Sequence, residues 1–169
     1  MFESVFFDRA ALALVISILL LAAASDVRSF RIPNIYCVAL FALYPVHVLF
    51  SPVAVNLTGG VIVLICAAGC GIALYALNNM GGGDVKLIAA CALWAGPDLL
   101  PEFILVMSIT GAFMGLFLQS SHRYSIALAL DSRGYSRAKE TLLSVKLPYG
   151  LAIASGGIVV ALRLAATTY

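Results

Sequence analysis

Six apolar runs separated by polar or turn-forming breaks make up most of the 169-residue chain. They cover about Phe6–Ala24, Ile35–Phe50, Leu57–Leu77, Val85–Ala95, Phe103–Leu118 and Gly150–Ala166. Several are shorter than the roughly 20 residues that cross a bilayer as a helix, so hydropathy sets their ends only loosely. The breaks carry turn chemistry. Pro33 disfavours helix at Ile32, Ser51-Pro52 marks a turn, and Gly96-Pro97 closes the fourth run. Pro45 falls inside the second run and is expected to kink it. Gly59, Gly60, Gly69 and Gly71 thin the third run, which suits close helix contacts in lipid. The pattern predicts an all-α polytopic membrane protein, with six transmembrane helices in one domain over residues 1–169.

One long polar stretch, Gln119 to Pro148, lies between the last two runs. In it Ala138, Leu142, Leu143 and Val145 oppose Arg137, Lys139, Glu140 and Lys146. This loop over 119–149 reads as an amphipathic helix on the membrane surface or as a plain solvated loop. The first run resembles a signal peptide at Ala22-Ala23-Ala24. Its flank Glu3, Asp8, Arg9 is not basic, so we expect the run to be retained.

Composition agrees: 63% of residues are hydrophobic, 11% are charged, and mean hydropathy is +1.06. Soluble domains average about 25% charged residues. A net charge of +2 is too small to suggest a nucleic-acid partner. The distribution of charge is more telling. Arg28, Arg31, Lys86, Arg123, Arg133, Arg137, Lys139 and Lys146 place eight of the ten basic residues on the odd-numbered loops. The even loops, Ser51–Asn56 and Gly96–Glu102, carry none. The positive-inside rule then puts the odd loops in the cytoplasm and both termini outside.

Candidate chemistry centres on Asn78-Asn79-Met80-Gly81-Gly82-Gly83-Asp84-Val85-Lys86-Leu87. An acid between two apolar runs is costly, and by default such a residue is functional. From Asp84 to Gly96 is 12 residues, about 18 Å of helix against a bilayer core of about 30 Å. Asp84 is therefore expected below the inner surface. Asp26 ends the first run on the same side. Two carboxylates brought together share a proton, so that one activates water while the other donates to a carbonyl. Asp84 begins a helix, where negative charge is favoured, and Asp26 ends one. We therefore expect Asp84 to activate the water and Asp26 to carry the shared proton. The blander alternatives are an interfacial Asp26 paired with Arg28 or Arg31, and Asp84 as a helix cap.

Other polar groups offer less. Asp98 and Glu102 fall on the opposite face. Asp131 and Glu140 have basic neighbours in the long loop, and His47 and His122 are read as structural. Cys37, Cys66, Cys70 and Cys91 form no CxxC pair and are read as small buried hydrophobes. Neither a metal nor an organic cofactor is implied.

Gly81-Gly82-Gly83-Asp84 fits the GxGD signature of intramembrane aspartyl proteases. Asp26-Val27-Arg28 with Ile32-Pro33-Asn34 resembles the first-aspartate motif of the type IV prepilin peptidases. Leu147-Pro148-Tyr149-Gly150 is similar to that family's segment before the last helix. The resemblance implies an aspartic endopeptidase of the bacterial inner membrane that removes prepilin leader peptides at the cytoplasmic face. It makes Asp26 and Asp84 catalytic. Gly81, Gly82, Gly83, Lys86, Pro33 and Asn34 then form the active-site loops. The partners it implies are a prepilin or pseudopilin, the lipid bilayer and pilus-assembly machinery. Larger members also N-methylate the new amino end and carry a cysteine-rich insertion, for which there is no room between the first two runs. Methyltransferase activity is expected to be absent, and the short length looks like the Tad/Flp branch. Rival readings are a small proton-coupled transporter subunit, or a non-catalytic pilus-assembly protein.

Overall fold

A computed structural model describes residues 2–119 and 148–167, all helix and connecting turn. The polar stretch with Asp131, Glu140 and His122, and its expected surface helix, lie outside the described residues. The helices are α1 (Phe2–Ser29), α2 (Asn34–Phe50), α3 (Leu57–Ala76), α4 (Gly82–Gln119) and α5 (Tyr149–Ala166). Four of these five, all but α2, are long and apolar enough to cross a membrane. The chain is a multi-pass membrane protein.

The fourth and fifth runs are not separated by the expected Gly96–Glu102 loop. They form α4, whose helical geometry fails only at Gly96 (φ 56°, ψ −172°). That left-handed φ is cheap for glycine alone. Pro97 follows at once, because a proline fits the first turn of a helix, where its missing N–H is not needed. The two limbs of α4 run in opposite senses along α5. On the first limb Cys91 meets Gly157, with Asp84 near the start of α5. On the second, Phe103 meets Gly156 and Gly111 meets Ala152. Asp98 and Glu102 thus fall at the end of the bundle away from Asp84, and Glu102 pairs there with Arg163 (2.9 Å).

Helix α5 packs against α1 and α4, α2 against α1 and α4, and α3 against α4. Leu12, Val15 and Leu19 of α1, Leu40 of α2, Leu87 and Phe103 of α4, and Ile153 and Val160 of α5 are almost fully buried between them. Three of the four α3 glycines make the expected close contacts. A Cβ on Gly59, Gly60 or Gly71 would lie 2.7–2.9 Å from Asn56, Pro97, Tyr44 or Val85 atoms, whereas Gly69 faces open space.

Two further expectations need correction. Helix α1 is longer than its apolar run at both ends: it starts at Phe2 and continues past Asp26, whose carboxylate is met by another helix, to Ser29. Of the four cysteines only Cys37 and Cys91 are buried, and Cys66 and Cys70 are exposed on α3. Because α3 packs mainly on α4, its other faces are left outward, where a thiol suits lipid as well as a core.

Asp8 is the unforeseen feature of the fold. It is fully buried, and its Oδ1 lies 2.5 Å from His47 Nδ1 on α2. The His47 ring packs 5.2 Å from that of Trp94, whose Nε1–H donates to Leu40 O (3.1 Å). Tyr44 stands edge-on to Trp94. His47 is thus buried and bonded inside the bundle, to an acid 39 residues away in sequence on another helix.

Candidate active site

The two ends that hold Asp26 and Asp84 are shaped by local backbone rules. Helix α1 closes with Phe30 in the left-handed region (φ 51°), its N–H donating to Asp26 O (2.8 Å). This is a single-bond left-handed cap, a position that glycine usually fills. A bulky residue there costs roughly 1–2 kcal/mol. Ser25 Oγ donates to Arg31 O (2.9 Å) and draws the connection back onto α1. Pro33 then starts α2. Helix α3 ends in a Schellman motif with Asn78 left-handed (φ 57°). Asn79 N–H reaches Leu74 O (3.0 Å) and Asn78 N–H reaches Tyr75 O (2.9 Å). The glycine run follows and opens α4.

Asp84 is the third residue of α4, and the Gly81 N–H lies against its carboxylate. A third-position acid reaching back to the capping residue is half of a capping box. The blander reading of Asp84 is thus met in part, but capping does not exhaust its surroundings. Asp26 is only 5% exposed, and its Oδ2 accepts the Gly150 N–H at 2.7 Å. Among the described residues, neither Arg28 nor Arg31 pairs with it. Asp26 therefore sits near the end of its own helix and at the start of α5 as well. The dipole contrast expected from α1 and α4 alone is offset by this third helix end.

Both carboxylates line one cavity of 460 Å³, close enough to act on each other electrostatically. Its other walls are Phe30 to Asn34 from the first connection and Gly81 to Gly83 from the third. A Cβ on Gly83 would stand 3.2 Å from Ile32 Cβ, so the two connections touch at that glycine. Lys86 Nζ donates to Asn34 Oδ1 (3.0 Å), which ties the start of α2 to the second turn of α4. Every residue singled out for the site in the sequence is thus gathered at one end of the bundle. Lys86 alone joins it by bonding to a lining residue rather than by lining the cavity.

The chain's stretch 13–116, which contains both aspartates, matches the model of the type IV leader peptidase family. The chain belongs to that family. Among similar members, a prepilin leader peptidase/N-methyltransferase of Burkholderia pseudomallei (strain 1026b) is 32% identical over 84 residues. That match covers 50% of this chain and 22% of the relative. Proteins of the same description from Aeromonas hydrophila and Dickeya chrysanthemi are 46% and 43% identical over 50 and 47 residues. Each of those matches covers 28% of this chain and 17% of the relative. The matched part is thus about a fifth of these curated relatives' length. No solved structure gives a significant match.

Four residues at this site carry no assignment from the sequence: Phe30, Arg31 and Ile32, which line the cavity, and Gly150, which bonds to Asp26. A bulky residue at a left-handed cap leaves no mark in the sequence. Gly150 was visible only as part of Leu147-Pro148-Tyr149-Gly150, a segment beyond the matched range.

Proposed function

We propose that the protein is an aspartic endopeptidase that removes the leader peptide of Flp-type prepilins or pseudopilins, without N-methyltransferase activity. The observation that carries this reading is the shared cavity of Asp26 and Asp84, two acids from different helices. One carboxylate, ionised, takes a proton from water as the oxygen attacks the scissile carbonyl. The other, protonated, donates to the carbonyl oxygen. Collapse of the tetrahedral adduct breaks the C–N bond: the proton held by the first acid passes to the departing amine, and a hydroxyl of the adduct returns its proton to the second acid as the new carbonyl forms. No electrons are exchanged, and no metal is called on. The connections Phe30–Asn34 and Gly81–Gly83 flank the acids with accessible backbone, suited to an extended peptide.

The placement we propose is a bacterial inner membrane, with six spans, both termini outside and the cavity at the cytoplasmic level. A substrate whose apolar helix lies in the bilayer would then present its leader at the height of the two acids. Pilus-assembly machinery is the implied context.

A proton-coupled transporter would use buried acids along a path, and Asp8 lies 18 residues before Asp26 on the same helix, about 27 Å away. Between them the inward face of α1 is Leu12, Val15, Leu19, Ala22 and Ala23, all buried and apolar. No side chain there can pass a proton, which favours the peptidase.

The deciding experiment co-expresses the protein with a candidate Flp-type prepilin and follows leader loss by gel mobility and mass. Asp26→Asn and Asp84→Asn are each expected to abolish cleavage while accumulating normally in the membrane. Near-normal cleavage by either variant would remove the peptidase reading. A methyl group on the mature amino terminus would remove the second half of the proposal.

A further inference from the structure

On the peptidase reading, we propose that Gly150 is a positioning residue: its backbone N–H at the start of α5 fixes the Asp26 carboxylate. The first N–H groups of a helix have no acceptor within it. Pro148, the capping residue of α5, supplies no side-chain acceptor. Asp26 Oδ2 fills that role at 2.7 Å from a residue 124 positions away. The positive end of α5 favours the carboxylate there. This bond engages Oδ2 and leaves Oδ1 for the reaction.

The contact also explains why this position lacks a side chain. A Cβ on Gly150 would stand 2.8 Å from both Cβ and Oδ2 of Asp26, and 3.0 Å from its Cγ. Helix α5 cannot easily retreat to make room. At Gly156 a Cβ would be 2.8 Å from the backbone oxygen of Phe103, so the helix is already seated against α4. Ser155 Oγ donates to Thr110 Oγ1 (3.0 Å) on the same face. A methyl group at position 150 would therefore displace the Asp26 carboxylate rather than α5. A catalytic group misplaced by about 1 Å loses on the order of 100-fold in rate.

Two measurements test this. In protein labelled with ¹⁵N-glycine, hydrogen exchange is followed at Gly150 in wild type and Asp26→Ala. A bond to a charged acceptor gives about ten- to a hundredfold protection. The variant should lose that factor at Gly150, while Gly157 stays unchanged. Loss at both glycines would report unfolding, and Asp26→Leu, which fills more of the space, would then replace Asp26→Ala. In the cleavage assay, Gly150→Ala should lower kcat about 100-fold with KM held within about twofold. Gly157→Ala is the crowding control, since its Cβ would be 2.9 Å from Cys91 Sγ and Leu19 Cδ1. It should lower thermal stability and leave kcat at the wild-type value. Unchanged exchange at Gly150 in the Asp26 variants, or wild-type kcat in Gly150→Ala, would overturn the positioning role. A wild type that cuts no prepilin would instead defeat the peptidase reading, and the exchange result would still decide whether the bond exists.

Discussion

The buried Asp8–His47 pair gives a sharp test of what holds α1 in register. Asp8 is fully buried and His47 nearly so, and among the described residues Asp8 Oδ2 accepts no hydrogen bond. His47 Nδ1 is therefore the partner that offsets the burial of this carboxylate. His47→Phe keeps an aromatic ring against Trp94 but removes that partner. Breaking a buried pair from one side costs about 3–5 kcal/mol. Asp8→Asn is milder, because the amide oxygen can still accept from Nδ1–H; the loss should be about 1–2 kcal/mol. Asp8→Leu combined with His47→Phe removes both polar groups and should return to within about 1 kcal/mol of wild type. The cycle built on Asp8→Leu and His47→Phe should therefore show a coupling of at least about 3 kcal/mol, the upper end of what contacting residues give. Unfolding by SDS in mixed micelles supplies the measurement. Trp94, the chain's single tryptophan, lies against His47 and reports locally, while far-ultraviolet circular dichroism follows the helices. A His47→Phe midpoint indistinguishable from wild type would refute this reasoning, and so would strict additivity in the double variant.

Four other outcomes follow from packing and local geometry. Gly60→Ala puts a methyl group 2.8 Å from Tyr44 Oη and 3.2 Å from Leu93 O, and should destabilise by about 1–3 kcal/mol. Gly69→Ala meets nothing within 4 Å and should gain up to about 1 kcal/mol; the same SDS titration checks both. Lys86→Met and Asn34→Ala each remove one exposed hydrogen bond and should cost less than about 1 kcal/mol in stability. If the tie orients the cavity, each should slow cleavage more than that, to a similar degree, and the double variant should be no slower than either single one. Phe30→Gly relieves roughly 1–2 kcal/mol of backbone strain while losing a half-buried ring. Its stability should thus stay within about 1 kcal/mol of wild type, and a larger loss in SDS unfolding would show that the ring, not the turn, anchors that corner.

Much of the site was legible because its chemistry is local. Asp26 and Asp84 stand out as acids bordering apolar runs, and the glycines before Asp84 announce a turn with open backbone. Pro33 and Asn34 likewise mark the start of α2. The Gly96–Glu102 loop was misjudged because glycine and proline together signal a break equally well whether a loop or a single sharp turn follows. In sequence Asp8 is only a charge flanking an apolar run, because nothing near it reveals a histidine on the next helix. Cys66 and Cys70 have apolar neighbours in sequence, and such neighbours do not tell a buried thiol from an exposed one.

The sequence by itself determined the class of protein, the approximate helices and the end of each helix that bears an acid. Those follow from composition and from charges that cannot sit in hydrocarbon without a reason. Tertiary structure alone decided which polar groups meet: Asp8 with His47, Asp26 with the Gly150 N–H, and Lys86 with Asn34. It also decided which helix faces look outward. Lipid and protein interior are equally apolar, so hydropathy cannot separate a lipid-facing residue from a core one, and only helix packing makes that distinction.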